Sequence, residues 1–126
     1  MNVKTDTKER FTVITPLETN LTANMTAEMN QFFHAFLEKE IPHIVLNMEQ
    51  TQMADTAFCT ALAALQQHFY EQDASFVICC LPPAIEKILE EADLLDTMNV
   101  TPTESEAWDI LQMEEVEREL LNGELE

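Results

Sequence analysis

Two kinds of apolar spacing take turns along this chain, and few folds accommodate that order. Short β-branched runs give way to apolar residues three and four apart, and then to short runs again; the first pattern is that of strands and the second that of helices. Arg10 to Leu17 reads as a strand ended near Pro16. Beyond a polar link from Glu18 to Thr22, Met25, Met29, Phe33, Phe36 and Leu37 share one face of a helix ending near Lys39 and Glu40, with Pro42 as the break. Ile44-Val45-Leu46 reads as a strand covered on both faces, as parallel strands are. A second link, Glu49 to Ala54, leads to Asp55-Thr56 at the start of a helix carrying Phe58, Ala61, Leu62, Leu65 and Phe69 on one side. Ser75 to Cys80 is the next buried strand, and Pro82-Pro83 opens a helix with Ile85, Ile88 and Leu89 inward. Met98 to Thr101 is a weak strand. Thr103, with Glu106 three residues on, is a capping box for a last helix facing inward through Ala107, Trp108, Leu111 and Val116. Val3 to Lys8 supplies an extra edge strand.

This alternation predicts a layered α/β domain with a mainly parallel sheet of four to five strands and about four helices. The predicted domain covers residues 1–113. Residues 114–126 form an acidic, helix-favouring extension in which Arg118 is the only base. A chain of 126 residues suits one domain and needs no metal or disulfide staple.

Charge and glycine content exclude whole classes of function. With 24 Asp+Glu against 6 Lys+Arg the net charge is −18, which opposes binding to nucleic acid or to an anionic membrane. The one glycine, Gly123, lies near the C-terminus. Phosphate-binding loops, dinucleotide-binding turns and nucleophile elbows each need several, so none is expected. Cys59, Cys79 and Cys80 have neither disulfide-framework nor zinc-ligand spacing, and His34, His43 and His68 are not placed as a metal pair. No cofactor or metal is expected. No signal peptide and no apolar stretch of about 18 residues is evident, so the expected location is cytoplasmic without membrane insertion, and the Asn-x-Thr sequons at Asn20, Asn24 and Asn99 read as chance matches.

The most informative segment runs from Ile44 to Phe58: a buried strand, a polar link, then Asp55-Thr56 at a helix start. On residue type alone the doublet is an N-cap, in which either side-chain oxygen accepts from the first turn for about 1 kcal/mol. In its order of elements the segment also resembles the STAS domain, the fold of bacterial anti-sigma factor antagonists and of the cytosolic tails of sulphate transporters. The resemblance spans roughly Arg10 to Leu111. Phe11 to Leu17 resembles the family's first core strand, Leu21-Thr22-Ala23 its entry to the first helix, Phe76 to Cys80 its next strand and Glu106-Ala107 the opening of its last helix.

That resemblance implies a regulatory protein-binding module and not an enzyme. Thr56 falls on the position phosphorylated by a partner serine/threonine kinase, which is itself the anti-sigma factor, and Asp55 on the acid that holds the loop and helix start. The implied partner surface comprises Asp55, Thr56, Ala57 and Phe58, flanked by Thr19 and Thr22. A phosphate on Thr56 would sit at the positive end of a helix dipole, so the fold should tolerate it. Facing one acid of a partner about 6 Å away, it costs roughly 3–5 kcal/mol, at least about 100-fold in affinity. The sequence departs from the family pattern at Thr19, Thr22, Asn47 and Phe58, the last standing where the family has glycine. A phenylalanine there is either buried, a hydrophobic anchor, or a block to the usual kinase.

Two other readings of the sequence are open. Free-standing domains of this kind also bind the ATPase of lipid ABC transporters, where a threonine at the Thr56 position touches the ATPase. A phosphoaspartate receiver or a hydrolase is disfavoured: Thr19-Asn20 and Asn47 stand where a receiver needs acids, and no His or oxyanion turn is placed for Thr56.

Overall fold

The fold is that of a computed structural model, which describes residues 2–124. Its strands are β1 (Val3–Thr7), β2 (Thr12–Pro16), β3 (Asn20–Leu21), β4 (Ile44–Asn47), β5 (Met53–Ala54), β6 (Phe76–Cys79) and β7 (Val100–Thr101). Its helices are α1 (Thr26–His34), α2 (Thr56–Glu71), α3 (Pro83–Glu91) and α4 (Glu104–Glu124). The main sheet has the order β1-β2-β4-β6-β7. β2, β4, β6 and β7 are parallel, and β1 adds an antiparallel edge. The expected α/β layering is therefore the architecture found.

Strand alternation divides the core in two. Ile14, Ile44, Leu46, Phe76 and Ile78 point to the face covered by α1, α2 and α3, where they meet Phe33, Phe58, Leu62, Phe69 and Leu89. Val13, Val45, Val77 and Cys79 point to the other face, covered by Ala107 and Leu111 of α4. Phe11 stacks on Trp108 at 4.8 Å between ring centroids and closes the second layer. Both faces of the parallel strands are covered, which is why their sequences read as unbroken apolar runs.

Three details differ from the expected elements. The two polar links, Glu18 to Thr22 and Glu49 to Ala54, each contain a two-residue strand, and these pair with each other in parallel as β3 and β5. The first helix opens and closes with 3-10 turns, Ala23–Met25 and Ala35–Glu38. Val116 does not extend the buried face of the last helix; it is 53% exposed, because at 100° per residue it lies opposite Ala107 and well away from Leu111.

With no glycine at the bends, aspartate takes the left-handed positions after α2 and α3. Asp73 has φ 59° and Asp93 φ 58°. After α2 the Ala74 N–H donates to Phe69 O at 2.9 Å and the Asp73 N–H to Tyr70 O at 3.1 Å. After α3 the Leu94 N–H donates to Leu89 O at 2.9 Å and the Asp93 N–H to Glu90 O at 3.1 Å. Both are Schellman closures with aspartate at the position that glycine usually fills.

Candidate functional site

The site is built where β3 and β5 bring the two polar links together at the mouth of α2. The Gln52 and Met53 N–H groups donate to Thr19 O at 2.8 and 3.0 Å, and the Asp55 N–H donates to Leu21 O at 2.9 Å. Thr51, buried, donates its hydroxyl to Glu18 O at 3.2 Å. Thr19 thus serves through its backbone carbonyl, and its side chain is exposed; Thr22 is half-buried.

Asp55 is the hub. It is the N-cap of α2, in extended conformation, and its Oδ1 accepts from the Phe58 N–H at 2.8 Å. Its Oδ2 accepts from the Ala23 N–H at 2.8 Å, at the start of the 3-10 turn that leads into α1. One carboxylate therefore caps two helical segments from different parts of the chain. Charge-assisted bonds to N–H groups at helix starts are favoured by the aligned peptide dipoles.

Thr56, the first residue of α2, is exposed, as is Ala57. The first N–H groups of a helix have no intrahelical acceptor, so this end of α2 is a region of partial positive charge. Neither polar link carries a lysine or arginine. Met53, two residues before Asp55 and 48% exposed, is an apolar side chain beside the site that composition did not single out. Its position in a polar link was the available signal.

Phe58 corrects the expected partner surface. It is 2% exposed, and its ring lies in the larger core with Ile14, Leu21 and Leu46. The residue at the third position of α2 faces the sheet, so the bulk of phenylalanine goes inward and offers a partner nothing. Of the alternatives open for it, burial is the one realised.

The other candidates for chemistry are structural. Burial, reinforced by the charge of Asp55, pushes the Cys59 thiol up to about 11. Burial and then the neighbouring Cys80 push the Cys79 thiol upward as well. Neither is a ready thiolate. His34 and His68 approach each other at 4.9 Å between ring centroids across α1 and α2. Among the described residues no group of three His, Cys, Asp or Glu is placed to hold a metal ion.

The family model of the STAS domain matches residues 2–107. The chain belongs to the STAS domain family. Several solved structures share its fold at low identity. One is an anti-sigma factor antagonist from Mycobacterium paratuberculosis, with TM-score 0.74 and 14% identity, covering 88% of this chain and 93% of that one. Another is the Bacillus cell fate determinant SpoIIAA in its phosphorylated form, with TM-score 0.61, 15% identity and 86% and 97% coverage. A third is the murine anion transporter Slc26a9, with TM-score 0.64, 14% identity and 82% coverage of this chain but 18% of that one. No curated protein matches the chain in sequence. Among the described residues of this STAS domain, no helix is long and apolar enough to cross a membrane.

Proposed function

We propose that this STAS domain is a partner-switching regulator of the anti-sigma factor antagonist kind. Unphosphorylated, it binds an anti-sigma factor that is also a serine/threonine kinase; phosphorylation of Thr56 by that partner breaks the complex. The observation that carries this reading is the placement of Thr56: exposed on the first turn of α2, beside an aspartate whose two oxygens are already engaged by N–H groups. A phosphate on Thr56 would add charge where the helix dipole accepts it and where a partner would have to approach. The loop would stay fixed through Asp55, so binding would be switched without unfolding. The contact surface would comprise Thr19, Thr22, Asp55, Thr56 and Ala57, joined by Met53. That SpoIIAA is known in a phosphorylated form supports the same use of this fold.

The test is site localisation by mass. The wild-type chain and the Thr56→Ala variant are isolated from cells in which the partner kinase is active, and fragment masses are compared. Phosphate on Thr56 and none on the variant is the expected result. Undiminished phosphate on Thr56→Ala protein would place the acceptor elsewhere.

A second reading keeps the same surface and changes the partner: the ATPase of a lipid ABC transporter, against which the Thr56 side chain would pack unmodified. The observation favouring it is threonine in place of serine, since the added methyl is apolar area exposed at the centre of the surface. Co-purification with an ATPase, and no phosphate on Thr56, would select it.

A further inference from the structure

α4 presents a second surface, away from Thr56, that the domain does not cover. Its inner side is defined by Ala107 and Leu111 in the core and by Arg118, whose Nη2 donates to Ser75 Oγ at 3.0 Å. At 100° per residue, Met113, Val116 and Leu120 lie diametrically opposite. All three are exposed, at 61%, 53% and 63%. Their spacing of three and four is that of the a and d positions of a heptad seam. On this register Gln112, Glu117 and Glu119 occupy the flanking g and e positions. Glu114 and Glu115 are turned toward the domain, bonded to Asn99 and Arg10, and take no part in the seam.

We propose that this seam is a docking surface for a basic amphipathic helix of a partner protein. The charge pattern selects the occupant. A second copy of this chain offers these flanks no cation: an antiparallel pair sets Glu117 against Glu117, and a parallel one sets Glu117 against Gln112. A lipid surface of the usual negative sign would be repelled by a chain of net charge −18. A helix with lysine or arginine at its flanking positions would bury the three apolar side chains and pair with Glu117 and Glu119. The seam is short, so the contact is weak by itself and adds to a primary one. It does not depend on how Thr56 is used.

The probe is a synthetic three-heptad peptide with Leu and Ile at a and d and Lys at e and g, beside a twin with Glu at e and g. Binding to the full chain is followed by fluorescence anisotropy. The lysine peptide should bind saturably and the glutamate twin should not. Val116→Lys, an exposed change that leaves the core intact, should weaken binding at least about tenfold, and amide shifts on titration should concentrate on α4. Sedimentation of the chain alone should give a monomer. Equal binding to Val116→Lys protein would reduce the effect to diffuse charge attraction and overturn the proposal. So would failure of the lysine peptide to bind, self-association abolished by Val116→Lys, or vesicle binding sensitive to that change.

Discussion

Ala23 and Asp55, 32 residues apart in sequence, are joined by a 2.8 Å hydrogen bond from the Ala23 N–H to Asp55 Oδ2, while the other oxygen of the same carboxylate caps α2. Asp55 is thus a clamp between two helix entries. Replacing it by alanine removes both bonds, and Asp55→Ala should cost about 2 kcal/mol in urea unfolding. Asp55→Asn keeps one oxygen and should lose about half as much. Equal losses for the two variants would show that one of the bonds contributes nothing.

Phe58 belongs to the core, so its removal should be read in stability. Phe58→Ala should destabilise the domain by about 3–5 kcal/mol, and Phe58→Leu by less. A Phe58→Ala protein that unfolds at the wild-type denaturant midpoint would put the ring back on the surface.

The Schellman closures after α2 and α3 hold Asp73 and Asp93 at positive φ, where a Cβ is costly and glycine is not. Asp73→Gly and Asp93→Gly should each stabilise by about 0.5–1 kcal/mol, with Asp73→Ala destabilising as the control. Thermal melts would decide it; a glycine variant less stable than wild type would contradict the closure.

His43 supplies the pH dependence. Its Nδ1 accepts the Ser75 N–H at 3.0 Å, which requires the neutral ring. Burial first, then the Arg118 charge, lower its pKa below the ordinary 6.5, against the opposing pull of Glu115 and Glu114. A lowered pKa means that the unfolded chain takes up the proton first. The stabilisation from His43 is therefore present above pH 6.5 and lost as pH falls through the lower folded value. The unfolding free energy of wild type, measured relative to His43→Gln protein, should decline below that pH. A difference that stays level down to about pH 5 would mean His43 does not favour the neutral form.

The parts of the fold that were readable in the sequence are those that bury apolar side chains in a regular period. Ile44 to Leu46 and Phe76 to Cys79 face cores on both sides, and Phe58, Leu62, Leu65 and Phe69 follow one helix face, so packing writes its period into the residues. β3 and β5 were not readable: two residues are too few for a period, and the pairing is made by backbone groups common to all sequences. For the same reason the Asp55 cap of α2 follows from residue type, while its reach to Ala23 depends on the β3–β5 pairing. Val116 does not fit the inward face because, at 100° per residue, it falls opposite Ala107, which the helical period already implies. Phe58 lies on that same face of α2, so its burial follows from the period, and only the family position suggested a role at the surface.

In the proposed switch, a charge on Thr56 governs docking without disturbing the fold. Its most direct test is the dissociation constant for the anti-sigma factor, measured by calorimetry with the chain unphosphorylated and then stoichiometrically phosphorylated on Thr56, and accompanied by thermal melts of both forms. Affinity should fall by at least about 100-fold on phosphorylation, with nearly unchanged melting. Equal affinity for the two forms, or weaker binding that tracks loss of the folded state, would contradict it.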